Sequence, residues 1–415
     1  MTPSLVHAGG VDDVVKARQL QRDAGKALGE EDWATANGYL LEAVELRPTH
    51  PALRYTLASV QALNGDKAAS LASLERLVEL GASYDPTLEA EFKPWVGDPT
   101  FDALVLALKA NGEPRRLGEV ALTVPEIKTA EGLVYDPSSG DLYVGTVRRG
   151  EVFRVAPSGE VHPLYTPGSL PGSVLGLGID SVNHRLWVTR SVLPESEGAS
   201  PETRGRAVLL GFDLQDVNSS PRVLTPPGQG PVTLGDLAVS PSGDVVVSDP
   251  VSGLIYHLDA GAESLQVLVP AGQLLSPQGL VFDGGQVVVA DYALGILSIR
   301  LSDGQVTPVK CRSATSLLGI DGMVKVGRNI LAIQNGTTPV RVVLLQRNWR
   351  GTIREVEVLE VAHPDWVEPT VATSMKDDVL YVGNGVWGEF RDGQWPPDGE
   401  LPPLKILHIK GEDLP

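Results

Sequence analysis

The strongest constraint on the fold is a phrase of two short strands and a tight turn that recurs six times along the chain. Its first copy, residues 130–146, alternates apolar side chains on both sides of Pro137-Ser138-Ser139-Gly140. Most copies are followed by further alternating strands, at spacings of roughly 45–60 residues that suit four-stranded units. Six such units predict a closed six-bladed β-propeller, in which residues 117–122 pair beside residues 404–409 to close the ring. The later copies turn at residues 182–184, 241–243, 283–285, 327–328 and 376–378.

The first hundred residues follow a helical pattern instead, rich in alanine and leucine. With Pro48 as a terminal proline, Ala36, Leu40 and Ala43 fall on the small and apolar positions of a helix that begins at Trp33. Small residues let two paired helices approach closely, and a proline or glycine ends each helix. The segment resembles a short tetratricopeptide array.

A second copy of this helical repeat turns at Gly65 and packs through Leu74 and Leu77, and residues 85–110 resemble a degenerate third pair that acts as a cap. The polar stretch 111–116 then separates the helical pattern from the strand pattern. We therefore expect a tetratricopeptide-like domain over residues 1–112 and a propeller over residues 117–415. The helices could form a groove for a protein partner, or serve as a docking or dimerising appendage.

Composition limits the partners and the compartment. The formal net charge of −18 argues against nucleic acid, whose phosphates require a basic surface, and fits a protein that attracts cations. The single cysteine, Cys311, allows no internal disulfide and no Cys-x-x-Cys metal site. The first ten residues lack the basic flank and apolar run of an intact signal peptide, and no membrane span is expected. The protein is either cytoplasmic or exported after a signal peptide has been removed.

Propeller geometry places the first residue of each phrase around the central channel on one face. The two long polar loops, residues 191–206 and 384–403, follow second strands and emerge on that same face, so we expect the functional site there. Two carboxylates and an amide oxygen at the channel mouth are hard ligands, suited to a divalent cation such as Ca²⁺. The six first positions are Glu131, Leu175, Gly235, Gln278, Asp321 and Pro369.

Three of these phrases resemble those of the gluconolactonase/senescence-marker-protein family of six-bladed propellers: Glu131-Gly132-Leu133, Pro277-Gln278-Gly279-Leu280 and Asp321-Gly322. The resemblance implies a divalent metal held by Glu131, Gln278 and Asp321, and a lactone or sugar-derived substrate. Ca²⁺ is the expected ion, with Mn²⁺, Mg²⁺ and Zn²⁺ as alternatives. The family has asparagine where this chain has Gln278, which is one methylene longer.

The same resemblance implies roles in catalysis and substrate binding. Asp321 would inherit the role of general base, and Asp236 matches the aspartate of an Asn-Asp motif whose asparagine is replaced by Gly235. Five polar residues end second strands near the channel and are candidates to contact substrate, or are the ordinary polar ends of blade strands. They are Arg190, Asp249, Asp291, Asn335 and Asn384.

Aromatic residues in the second long loop add one more candidate. Trp387, together with Phe390 and Trp395, could form a wall against which a ligand stacks, or could plug the channel. None of the seven histidines occupies a first-strand channel position, so a histidine dyad has no support. Two hypotheses follow: a metal-dependent hydrolase of the lactonase type, and a non-catalytic propeller that binds a ligand or protein while its helices recruit a partner.

Overall fold

The structure is a computed structural model that describes residues 10–168 and 170–415. The N-terminal segment considered above as a signal peptide lies almost wholly outside these residues. Within them, no helix combines the length and the apolar character that crossing a membrane would require.

The chain begins with a helical region of about a hundred residues. Aspartate side chains cap three of its helices, since Asp32, Asp66 and Asp98 each accept a hydrogen bond from a backbone N–H of the first turn. The helices are α1 (Val11–Gly29), α2 (Trp33–Leu46), α3 (Pro51–Leu63), α4 (Lys67–Glu79) and α5 (Pro99–Asn111), with short 3-10 helices at Pro86–Leu88 and Ala90–Trp95.

The predicted helix-packing residues are buried. Ala36, Leu40 and Ala43 of α2 lie in one core cluster with residues of α1 and α3, and Leu74 and Leu77 of α4 lie in a second cluster. The segment predicted as a third pair is two 3-10 helices followed by α5. Pro94, inside the second 3-10 helix, has no backbone N–H with which to continue a regular helix. A helical region is thus confirmed, while its tetratricopeptide character stays a prediction.

The remainder of the chain is the predicted six-bladed β-propeller, built from six four-stranded antiparallel sheets. Strand β1 (Glu119–Val124) pairs with β24 (Leu404–Ile409), so the first strand of this region completes the last blade, as expected for a closed ring. Blade 1 contains β2 (Ala130–Tyr135), β3 (Leu142–Thr146), β4 (Val152–Val155) and β5 (Val161–Tyr165). Blade 2 contains β6 (Ser173–Asp180), β7 (Arg185–Ser191), β8 (Ala207–Asp213) and β9 (Arg222–Leu224).

The other four blades repeat this order. Blade 3 contains β10 (Leu237–Val239), β11 (Val245–Asp249), β12 (Leu254–Leu258) and β13 (Gln266–Val269). Blade 4 contains β14 (Pro277–Asp283), β15 (Gln286–Asp291), β16 (Gly295–Arg300) and β17 (Val306–Pro308). Blade 5 contains β18 (Met323–Val326), β19 (Asn329–Gln334), β20 (Arg341–Arg347) and β21 (Ile353–Val361). Blade 6 contains β22 (Ala372–Met375), β23 (Asp378–Val382), β24 and β1.

Glycine in the repeated phrase allows the inner strands of neighbouring blades to meet. A side chain at Gly279 would clash with the carbonyl oxygen of Asp321, and one at Gly322 with the carbonyl oxygen of Thr370. In each copy that has this glycine, a side chain there would meet the carbonyl oxygen of the first position of the next blade. In blade 6 this relation selects Thr370, one residue after the predicted Pro369, because that copy lacks the glycine that marks the register.

The helical region packs against the propeller. In the contact, Arg47 donates to the carbonyl oxygen of Ala293 at 2.6 Å, and the buried Arg341 of β20 donates to that of Gly81 at 3.0 Å. Backbone bonding also joins Ser83 to Thr338. These hydrogen bonds place the segments that follow α2 and α4 beside the ends of blades 4 and 5.

Arg341 should be a large contributor to this contact. Its guanidinium donates to Gln334, Gly81 and Ser316, and burial lowers its pKa to about 10. Arg341→Met would leave those acceptors unpaired and should cost about 2–3 kcal/mol, measured as a lower urea midpoint. Arg354→Met, at an exposed position, is the control. Equal midpoints for the two variants would contradict this assignment.

Candidate functional site

Four carboxylates gather on one face of the propeller channel. Glu131 lies in β2, and Asp236, Asp321 and Glu368 precede the inner strands of blades 3, 5 and 6. Glu131 is 7% exposed, and the other three are partly buried. Because these carboxylates are shielded from water and lie near one another, burial and mutual repulsion favour their protonated forms.

The pKa values express this repulsion. Burial, followed by the charge of Asp321, raises the pKa of Glu131 well above its ordinary value and that of Asp236 to about 7. Burial and the charge of Glu368 raise the pKa of Asp321 to about 6, against the lowering effect of a hydrogen bond from Asn335. Burial also raises the pKa of Glu368. Such a coupled group is typical of functional sites.

Glu131 is held by an aromatic residue of the second long loop. The indole N–H of Trp387 donates to Oε2 of Glu131 at 2.8 Å, and this bond lowers the pKa that burial raises. It is the one hydrogen bond that the Glu131 carboxylate accepts from the residues that the structure describes. Trp387 therefore fixes the carboxylate while leaving most of its lone pairs open.

Asp321 is supported by Asn335 of its own blade and, through Asn335, by Tyr292 of blade 4. Asn335 Nδ2 donates to Asp321 Oδ2 at 2.7 Å and also to the carbonyl oxygen of Pro369 at 3.1 Å. The hydroxyl of Tyr292 in turn donates to Oδ1 of Asn335 at 3.2 Å. This chain of bonds fixes the amide of Asn335, so that its N–H rather than its oxygen faces Asp321.

Asp236 reaches the cluster because it replaces the glycine of the repeated phrase. Blades 1, 4 and 5 have Gly132, Gly279 and Gly322 at that position. Among the described residues, no group donates a hydrogen bond to the Asp236 carboxylate, and the charge of Asp321 adds to the effect of burial on its pKa. Its neighbour Gly235, where the resemblance expects asparagine, carries no side chain to share the site.

Gln278 also lies at a first position. Its Nε2 donates to the hydroxyl of Ser276 at 3.1 Å, which leaves Oε1 as the group available to a ligand. The amide is thus oriented by its own strand rather than by the carboxylates. Whether it holds a metal stays a prediction.

Three other predicted residues are engaged with backbone. The carboxylate of Asp291 accepts four backbone N–H groups, and that of Asp249 accepts three. The amide of Asn384 joins Pro403 to Lys405. These side chains shape the turns after the second strands, and their oxygens are already occupied.

Arg190 lies apart from the carboxylates. One of its terminal nitrogens donates to the carbonyl oxygens of Leu170 and Pro171, and the side chain lines a separate cavity of about 420 Å³ beside blade 2. Burial lowers its pKa. Any contact of Arg190 with substrate would therefore be made through this cavity.

The two long loops interlock above the first blades. Arg148 and Arg149, just after β3, each form ion pairs with Glu197 of one loop and Asp398 of the other. Trp395 adds a hydrogen bond from its indole N–H to the carbonyl oxygen of Glu195, at 2.6 Å. The loop that carries Trp387 is thus tied across the channel face.

Glu368 and Tyr292 are site residues that the sequence analysis missed. Glu368 stands two residues before Thr370, outside the repeated phrase, and no periodic signal reaches it. Tyr292 follows Asp291 at the end of a second strand, where only polar residues were considered as candidates to contact substrate. An acidic residue just before a phrase without glycine would have been a usable signal.

The donor set fits a hard divalent cation. All the available groups are oxygens, and Thr370 of the same register keeps a buried hydroxyl oxygen without a hydrogen-bond partner among the described residues. The fit has one restriction: no three of these carboxylates bring an oxygen each within 4.8 Å of one another in the described chain. A separate group on the outer part of blade 3 does bring three ligand atoms within that distance of one another. It consists of Asp244, His257 and Asp259.

No family model and no curated protein matches the sequence. Among known structures, the chain resembles a luciferin-regenerating enzyme, with 13% identity over 72% of this chain and 95% of the other and a TM-score of 0.50. A gluconolactonase from Xanthomonas campestris gives 17% identity over 71% and 94%, with a TM-score of 0.46. Regucalcin, a calcium-binding protein from Agrobacterium tumefaciens, gives 16% over 70% and 95%, also at 0.46. The likeness to the luciferin-regenerating enzyme bears on the fold alone, and it agrees with the β-propeller of the C-terminal part of the chain.

Proposed function

We propose that the chain is a divalent-cation-dependent hydrolase that opens lactones or related esters at the channel mouth. The observation that carries this proposal is the group of four carboxylates with raised pKa values, which accept few hydrogen bonds from the protein. A cation would neutralise their repulsion. The lactone class comes from the sequence resemblance.

The cation would be held by oxygens of Glu131 and Asp321, with Asp236 and Oε1 of Gln278 close by. When bound, it would polarise a carbonyl group and lower the pKa of a water molecule. Ca²⁺ suits this donor set because it accepts many oxygen ligands in flexible geometry, partly through water. Mn²⁺, Mg²⁺ and Zn²⁺ are the alternatives to be compared with it.

Asp321 acts as the general base in this proposal. Its carboxylate is oriented by Asn335, and in the cation-free protein burial raises its pKa to about 6. A bound cation would lower that pKa, so the carboxylate would be ionised at neutral pH and able to accept a proton. It accepts a proton from water as the water oxygen bonds to the carbonyl carbon. The bond from that carbon to the ring oxygen then breaks, and Asp321 returns the proton to the leaving oxygen.

A proton-release assay tests the proposal. A panel of sugar-acid lactones and simple lactones is offered to the protein, first with a chelator and then with each of the four cations. We expect hydrolysis that depends on the cation. Absence of turnover for every lactone, or turnover that the chelator leaves unchanged, would overturn the proposal.

Trp387→Phe should weaken the site without removing a carboxylate. The change deletes the hydrogen bond that lowers the pKa of Glu131, so that carboxylate should bind a proton more tightly and a cation more weakly. We expect the dissociation constant of the cation to rise roughly 10-fold, as for supporting residues of other metal sites. Calorimetric titration at neutral pH measures it.

The matched control is Trp349→Phe, since Trp349 is 80% exposed on blade 5. It should leave the affinity for the cation unchanged. If both tryptophan variants bind the cation as the parent does, the indole of Trp387 does not support the site.

A further inference from the structure

A cavity of about 440 Å³ lies where the helical region meets the channel face of the propeller. Arg18, Arg47 and His50 line it from the helices, and Tyr292 and Asn335 line it from blades 4 and 5. No aspartate or glutamate lines this cavity, although the chain has a net charge of −18. We call it the arginine pocket.

Arg47 is the buried cation of the arginine pocket. Its side chain is 6% exposed, it donates one hydrogen bond, to the carbonyl oxygen of Ala293, and it forms no ion pair within the described chain. Burial and the charge of Arg18 lower its pKa, while Asp291 and Asp13 act against this. The oxygens of Asp291 are occupied by backbone N–H groups, so Arg47 keeps donors free for an anion.

His50 adds a neutral donor to the pocket. Its Nδ1 accepts a hydrogen bond from the backbone N–H of Leu53 at the start of α3, which places the imidazole proton on Nε2. Burial and the charge of Arg47 lower its pKa to about 4, so the ring is uncharged at neutral pH. Two guanidinium groups and one N–H donor are the usual partners of a carboxylate or phosphate.

The propeller side of the arginine pocket is formed by the residues that orient Asp321, the proposed general base. Tyr292 and Asn335 line the pocket, and Asn335 also donates to Asp321. A molecule of modest size could therefore place one end in the arginine pocket and another beside the carboxylates. The four carboxylates would repel an anion, so a separate basic pocket is required if the substrate carries one.

We propose that the arginine pocket binds an anionic group, a carboxylate or a phosphate, carried by the molecule on which the channel site acts. That this molecule is the substrate of the channel site rests on the proposed function. The helical region then has a role in specificity, because Arg18 and Arg47 both come from it. Lactones that bear an acidic substituent are the substrate class that results.

Two measurements test this inference separately from catalysis. In the first, inorganic phosphate and succinate are titrated into the full-length protein and binding is followed by calorimetry. We expect binding of at least one of them, about 10-fold weaker in Arg18→Gln, and the stronger ligand distinguishes phosphate from carboxylate. Arg18 is exposed, so this variant should fold, and Arg22→Gln on the same helix is the matched control.

In the second measurement, kcat and KM are compared for a neutral lactone and for one with a carboxylate substituent. Arg18→Gln should raise KM for the acidic lactone about 10-fold and leave the neutral lactone unaffected. Arg47→Gln should act in the same direction, and its folding is checked by circular dichroism.

The failure of the arginine pocket and the failure of the proposed hydrolase would give different results. Turnover of lactones without any effect of Arg18→Gln on phosphate, succinate or the acidic lactone would overturn the arginine pocket and leave the hydrolase standing. Anion binding lost in Arg18→Gln, in a protein that opens no lactone, would support the pocket and contradict the proposed function.

Discussion

Asp321→Asn is expected to lower kcat for lactone opening by roughly 10²- to 10⁴-fold, the range for loss of a positioned general base. The amide has nearly the shape of the carboxylate but is a very weak base. The same change removes a charge that raises the pKa of Glu131 and of Asp236. Without a cation, the variant should therefore unfold at a higher temperature than the parent.

The opposite directions of these two effects make the experiment decisive. A variant that had simply misfolded would lose activity and stability together. Lactone turnover at saturating cation and thermal unfolding in chelator are the two measurements, and Asp303→Asn, a half-exposed carboxylate in the loop before β17, is the control. Retained turnover in Asp321→Asn would exclude this residue as the base.

The cation-free protein should become less stable as the pH rises from about 4 to about 7. Asp236 and Asp321 have folded-state pKa values of about 7 and about 6, above the ordinary 3.8. Between these values the folded protein binds more protons than the unfolded chain, so raising the pH favours unfolding. Their contribution is fully present below pH 3.8 and is lost as the pH passes the two raised values.

Comparison with Asp236→Asn isolates this effect from other titrating groups, such as the salt-bridged Asp283 and Asp378, whose pKa values are lowered. Urea unfolding in chelator from pH 4 to pH 8 should show the parent losing a few kcal/mol relative to this variant. A saturating divalent cation should remove most of the difference. Parallel curves for the two proteins in chelator would show that Asp236 is not protonated in the folded state.

The blades could be predicted from sequence because their signals are local. A period of two, a tight turn and a glycine where neighbouring strands meet are each visible within one phrase, and together they fixed the register of Glu131 and Asp321. Blade 6 has no such glycine, so the phrase there was placed one residue early and Glu368 was overlooked.

For the polar residues at the ends of second strands, the sequence analysis did not separate turn-forming residues from site residues. Asp249 and Asp291 each precede a glycine by four residues, and both accept hydrogen bonds from the intervening backbone N–H groups. That spacing is a recognisable turn signal and could have separated them from Asn335, which has no such turn role. The support of Asn335 by Tyr292 crosses between blades, and only the folded structure brings the two together.

The sequence predicted that the first hundred residues form helices, but it did not predict where these helices pack on the propeller. Their contacts with the propeller combine apolar packing of Val14 against the core of blades 3 and 4 with hydrogen bonds from Arg47 and Arg341 to backbone carbonyl groups far away in sequence. Such bonds leave no periodic pattern. The arginine pocket is a product of that packing and could not be read from either segment alone.

The most direct test of the account is calorimetric titration of Ca²⁺ and Mn²⁺ into the parent, Glu131→Gln and Asp259→Asn. Asp259 belongs to the separate group with Asp244 and His257, so its variant reports on binding at that outer site. We predict one site in the parent that is at least about 10-fold weaker in Glu131→Gln and unchanged in Asp259→Asn. No binding at millimolar cation, or a site lost in Asp259→Asn and retained in Glu131→Gln, would contradict the account.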